Sequence, residues 1–318
     1  MRTKILNILA LSAAILSLLS CENRIDPGKD ERIAVSAFAE RLGVELKSES
    51  DGAAQVSVYN GVGIDPLYTK VIYSLGALHG QSYLTFNDEN PEWIKDGDEY
   101  LLYNDETFSC IGLYPATEEN DGWEISSDAA THTSDGSTDL MYAPEVTSDK
   151  NSTPPPTLNY KHLLTWVNVL VSANTIEAVN HWGKITKITI ESSDNVEIGL
   201  TDDSISYSTT CHPITAYSSN TGLALNITTT PAGSVLISPK TTLKVTVYTT
   251  VFTEGKSVDI TLRDMNNIEI DKNQNPDDMS EVRGKLFVLN LTFTPLSILE
   301  GTCTLNYWND QDEDLFLS

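Results

Sequence analysis

The chain has 318 residues, 40% of them hydrophobic and 20% charged, which is enough apolar material for a core and excludes a wholly disordered chain. Its 20 basic residues face 45 acidic ones, and a formal charge of -25 repels phosphate backbones and argues against nucleic-acid binding. A chain of this length suits two domains of about 150 residues each.

Residues 1–21, MRTKILNILALSAAILSLLSC, read as an export signal. Arg2 and Lys4 make a basic start, and Ile5 to Leu19 form an apolar run. At about 15 residues that run is short for a membrane span and right for a signal core. Leu18-Leu19-Ser20-Cys21 resembles a lipobox, with small Ser20 before the scissile bond and the Cys21 thiol as the expected site of lipidation (diacylglycerol and palmitate). Attachment to the membrane would then be by lipid alone.

Residues 22–31 are charged, contain Pro27-Gly28 and read as a tether. Short β-prone runs with turn signals between them follow: 33–39, 55–59, 68–75, 98–103 and 108–114, the last closed by Pro115. Residues 117–138 and 145–157 are polar or proline-rich and read as loops. Residues 158–171 are the longest apolar stretch and include the β-prone Trp166 to Val171. The joint between domains is expected near Ala173 to Asn180, giving 42–176 and 177–318 as two units. In the second, residues 184–190 (KITKITI) alternate with the period of a half-buried strand. Runs at 223–228, 234–237, 243–251, 258–262, 286–293 and 303–308 continue the style. No run of a dozen residues carries a helical period, so the expected fold class is all-β, built as sandwiches with little helix.

Three cysteines follow Cys21. Cys110 reads as a small buried hydrophobe; Cys211 and Cys303 can form a bridge or remain free. No nucleophile elbow, phosphate-cradling loop or zinc helix is present. The five histidines stand singly. His181 beside Trp182 and His162 before Leu163-Leu164 are candidate ligands, and a structural role is expected of both. Asp271, Asn273 and Asn275 alternate like a calcium loop but have Pro276 where glycine is needed, and Asp310, Asp312 and Asp314 alternate without a bidentate Glu after them. Neither a metal nor a cofactor is expected, and no catalytic residue.

Several segments in order resemble the fimbrillin family (Mfa-like, type V pilins). They are Gly97-Asp98 before Tyr100, Asp139-Leu-Met-Tyr-Ala143, then Leu158-Asn-Tyr160-Lys-His162-Leu-Leu164, then Gly284-Lys285-Leu-Phe287 followed by Ile298 and Trp308. The resemblance implies two transthyretin-like β-sandwich domains in tandem. It also implies export as an outer-membrane lipoprotein at the cell surface. Assembly into a fimbrium would proceed by strand exchange with other fimbrial subunits, after a trypsin-like protease removes the first strand, and would serve cell adhesion. On this reading the removable strand is Ile33, Val35, Ala37, Phe38 and their neighbours. The cut falls between Arg41 and Leu42; Arg32 and Arg24 are alternatives that would leave the strand in place. The donor strand is the end segment with Leu305, Tyr307, Leu315, Phe316 and Leu317. The competing expectation is a non-polymerising surface lipoprotein that binds carbohydrate or host protein, which exposed loop aromatics such as Trp93 and Trp123 would favour.

Overall fold

The computed structural model describes residues 34–39, 43–48, 54–59, 67–75, 78–86, 92–93, 95–96, 99–100, 108–148, 157–270, 279, 282–296 and 299–306. The first strands are β1 (Ala34–Ala39), β2 (Gly43–Ser48), β3 (Ala54–Tyr59), β4 (Leu67–Leu75), β5 (Leu78–Phe86), β6 (Glu92–Trp93), β7 (Lys95–Asp96) and β8 (Glu99–Tyr100). Then come β9 (Phe108–Tyr114), β10 (Trp123–Ile125), β11 (Ala129–Thr133), β12 (Met141–Ser148), β13 (Thr157–His162), β14 (Thr165–Ala173) and a short helix, α1 (Ile176–Trp182). The rest are β15 (Lys184–Ser193), β16 (Asn195–Gly199), β17 (Ile205–Tyr207), β18 (Cys211–Ala224), β19 (Thr230–Ile237), β20 (Thr242–Thr249), β21 (Lys256–Arg263), β22 (Leu286–Phe293) and β23 (Leu299–Asn306). The protein is all-β, as its alternating sequence implies.

A seven-stranded sheet, ordered β5-β4-β9-β12-β13-β1-β6, carries the first half. Side chains alternate across it, as the two-residue strand period demands. Val71 and Tyr73 of β4, Cys110 of β9, Met141 and Ala143 of β12 and Leu158 and Tyr160 of β13 pack on one face. Ile111, Leu113 and Tyr142 pack on the other. On the first face the Tyr160 hydroxyl donates to Thr69 Oγ1 at 2.6 Å, and Thr69 passes its own proton to the Leu113 carbonyl at 2.6 Å. Gly112 makes this possible, because a Cβ there would stand 2.1 Å from the Tyr160 hydroxyl. Burial pushes the Tyr160 phenol above its ordinary range, so it stays a neutral donor.

The second half is an eight-stranded sheet, ordered β18-β15-β20-β21-β23-β22-β14-β19. It folds on itself as a sandwich, because β21 and β23 share only the pairs Leu262↔Cys303 and Arg263↔Thr304. Ile185, Ile188, Val245 and Val247 on one side meet Val167, Val169, Leu289 and Leu291 on the other in one core. β14 lies between parallel β22 and antiparallel β19 and is buried on both faces, which is why its sequence is largely apolar. The helix α1 closes one end. Thr175 caps it by accepting from Ala178 N at 3.2 Å, and the fully buried Trp182 donates its indole N–H to the Thr294 carbonyl at 2.7 Å.

Sheet membership divides the chain as follows. From sequence, the apolar stretch 158–171 belongs wholly to the first unit. In the structure β13 lies in the seven-stranded sheet and β14 in the eight-stranded one, so sheet membership changes at Leu163–Leu164. Residues 173–180, expected to join the units, include the start of α1, which packs on the second core. Residues 117–138 are not all loop, since they contain β10 and β11. These pair with β16 and β17 from the second half in a four-stranded sheet, through Ala130↔Ile198 and His132↔Val196 among others. Beneath it Trp123, Ala130, Val196, Ile198, Leu164, Trp166 and Leu286 form a core drawn from both halves.

Candidate assembly site

β1 holds most of the residues that the strand-exchange reading takes for the removable strand. It runs parallel to β13 with Ser36↔Thr157, Ala37↔Leu158, Phe38↔Asn159 and Ala39↔Tyr160, and antiparallel to the two-residue β6 through Ala34↔Trp93 and Val35↔Glu92. Val35, Ala37 and Phe38 therefore sit in a ladder next to the sheet's end, where among the described residues the two-residue β6 alone lies beyond β1.

The other residues of the exchange reading fall as follows. Cys21, Ile33, Arg41 and Leu42 lie outside the described residues, as do Tyr307, Leu315, Phe316 and Leu317. Leu305 lies in β23 opposite Phe287, half-buried against its own core. The calcium-like positions at 271–275 and 310–314 are outside the described residues too. Among the described residues no three metal-ligating side chains converge, and no helix is long and apolar enough to cross a membrane.

The motif residues come together at the joint between the halves. Asp139 accepts from His162 Nδ1 at 2.7 Å, with the imidazole 10% exposed. Gly284 N donates to the Leu164 carbonyl and Trp166 N to the Lys285 carbonyl, both at 2.9 Å, and Thr165 Oγ1 donates to the Val282 carbonyl at 2.9 Å. At Gly284 φ is +65°, in the left-handed region that glycine alone enters freely, and its backbone lies against His162. The three motifs thus lock β13, β14 and β22 at one point. A groove of about 990 Å³ opens beside this lock, lined by Tyr142, Lys161, His162, Asp203, Ile205, Arg283 and others. Asp203 accepts the Tyr142 hydroxyl, and burial first and that carboxylate second raise the Tyr142 phenol above its usual range. Spacing hinted at none of this groove, since its walls come from four segments spread between residues 142 and 284.

Other side chains singled out from sequence have structural surroundings. Cys110 and Cys303 are buried free thiols, burial raising both above their ordinary values, and Cys211 is exposed and also free, so no bridge joins Cys211 to Cys303. His181 lies against Phe252 and Trp182, with ring centroids 5.4 and 6.5 Å away. Trp123, expected on an exposed loop, is only 4% exposed, and its ring meets His132 edge-on at 5.0 Å. His132 Nδ1–H donates to the Thr133 carbonyl at 2.8 Å. Burial is the main influence on this imidazole and holds its pKa below the ordinary value. The unfolded chain therefore binds the proton better. The stabilisation is whole above about pH 6.5 and is lost as the pH falls through the depressed value. Urea midpoints at pH 7.5 and 5.5 should fall by less in His132→Gln than in the parent chain. Equal falls would show that His132 plays no part.

The comparisons with known proteins agree with this architecture. The fimbrillin-like family model matches residues 69–308. A candidate cell adhesion protein from Bacteroides uniformis superposes with a TM-score of 0.52 at 13% identity, covering 88% of this chain and 100% of that one. Candidate polysaccharide-binding proteins from Bacteroides thetaiotaomicron give a TM-score of 0.51 at 10% identity, with 89% and 99% covered. A candidate adhesin from the same organism gives 0.50 at 10% identity, with 87% and 96% covered. No curated protein gives a significant match. The structural neighbours speak for the fold alone at such identities. The family match spans most of the length, from β4 past the end of β23, and takes in the motifs that lock the joint: the chain belongs to the fimbrillin-like family.

Proposed function

We propose that this chain is a fimbrial subunit that is exported as a lipoprotein acylated at Cys21 and serves cell adhesion. Its assembly is triggered by a trypsin-like protease that cuts after Arg41 and frees β1. A strand from the next subunit, supplied by the segment from Leu305 to Leu317, then takes the vacated place. It is a structural protein and is given no reaction to catalyse. The observation that carries the reading is the ladder of β1 with β13. Loss of β1 would leave β13 with an unpaired edge, to which a donor strand can add by main-chain hydrogen bonds while alternate side chains set its register. The family membership supports the assembly role.

The decisive measurement is the N-terminal residue of the protein recovered from the cell surface. Leu42 is expected on assembled fibres. Acylated Cys21 with no shorter form would end the stalk-subunit version and leave a fibre anchor or a lipoprotein that never polymerises.

The second reading, a surface lipoprotein that binds carbohydrate, has one point in its favour, the similar fold of the candidate polysaccharide-binding proteins. Sugar stacking needs exposed rings, and Trp123 does not supply one.

A further inference from the structure

We propose that the groove between the halves is a docking site for the acidic residues that follow β23 in the same chain, Asp310, Asp312, Glu313 and Asp314. Three observations carry this. The first is charge. In a chain of net -25, the groove wall gathers Lys161, His162 and Arg283. Asp139 holds His162, whereas Lys161 and Arg283 have no carboxylate partner among the described residues. The lining carboxylate Asp203 is already engaged by Tyr142.

The second is where β23 ends. β23 runs antiparallel to β22 and its last pair is Leu286↔Asn306, two residues from Gly284 in the groove wall. At about 3.3 Å per residue, the four residues from Asn306 to Asp310 can span at most about 13 Å, enough to reach the groove wall beside Gly284. The third is the groove's mixed lining. Leu163 and Ile205 stand beside the cations, matching an acidic run followed by the apolar Leu315, Phe316 and Leu317. Tethering makes such docking intramolecular, so modest ion pairs suffice.

Docking in cis would keep the end segment occupied until maturation. That consequence rests on the strand-exchange reading above, whereas the docking itself does not. The test uses the uncut monomeric chain and a zero-length carbodiimide, which condenses a lysine Nζ with a carboxylate in contact with it and leaves an amide with net loss of one water. Lys161 should become linked to one of Asp310, Asp312, Glu313 or Asp314, seen as joined tryptic peptides by mass spectrometry. The yield should not change on tenfold dilution. Arg283→Glu should cut it several-fold, and Asp310→Asn with Asp312→Asn and Asp314→Asn should cut it likewise, with Tm unchanged as the check on folding. Absence of the link, or a yield that falls in step with dilution and so marks a neighbouring copy, would overturn the proposal. Failure of strand exchange would appear separately, as missing fibre ladders with this link still present.

Discussion

Arg41→Ala should abolish fibre formation while leaving a folded, lipid-anchored monomer. The strand it guards is short, with four residues in register with β13 and two with β6. So few hydrogen bonds are worth little net against water, about 1 kcal/mol each. What keeps β1 in place is its covalent continuity with the following residues, which makes its pairing intramolecular. A cut after Arg41 removes that advantage, and a donor strand with better side chains can then displace it. In the parent chain, trypsin treatment should yield a core beginning at Leu42 that forms ladders on gels. In Arg41→Ala the ladders should be at least tenfold weaker, with Tm the same as in the parent. Undiminished ladders in the variant would place the trigger elsewhere. Arg32 and Arg24 are poor substitutes, since both precede β1 and cutting there leaves it attached.

The second large effect concerns stability. Lys70, in the middle of β4, has a side chain 6% exposed and is ion-paired with Asp121, which is 16% exposed. The Tyr83 hydroxyl donates to the same carboxylate at 2.7 Å, the Trp123 amide donates to it at 3.0 Å, and the Lys70 ammonium lies 5.2 Å from the Tyr83 ring centroid. Burial alone would raise the Asp121 pKa, but these donors outweigh it and hold the carboxyl below its ordinary value. Asp121→Ala leaves the ammonium buried without its counter-charge and should cost about 3–5 kcal/mol. For a chain of this size that is a fall in Tm of about 10 °C. Lys70→Met combined with Asp121→Leu removes both charges together and should recover most of the loss. Calorimetry of the single and double variants decides it. A single variant within 1 kcal/mol of the parent would mean that water solvates the pair.

Local pattern carried much of the strand assignment. Residues 184–190 alternate because β15 has one face on the second core, and β20 and β22 were legible for the same reason. Sheet membership was not legible. Residues 158–171 read as one apolar stretch, yet a turn at two leucines sends β14 into another sheet, and only its partners β19 and β22, far along the chain, decide that. β10 and β11 were taken for loop because their inward positions are few, and one of them is a small alanine, Ala130. α1 has seven residues, too short for a helical period to show, although Thr175 and Gly183 are serviceable caps. The site divides in the same way. The segment 33–39 was recognisable as a strand from its own residues, but its parallel pairing with β13 was not. The Asp139–His162–Gly284 lock was visible as motifs, whereas the groove beside it depends on residues brought together only by the fold.

The four-stranded sheet β10-β11-β16-β17 has a mechanical meaning. Because two of its strands come from each half, the halves are not beads on a string. Separating them would mean breaking the five consecutive pairs from Ala129↔Gly199 to Thr133↔Asn195 and exposing the apolar residues underneath to water. Bending at Leu163–Leu164 is resisted by the same layer. A filament of such units would pass tension from one half of each link to the other through a broad seam rather than a hinge, and would act as a stiff rod held away from the cell.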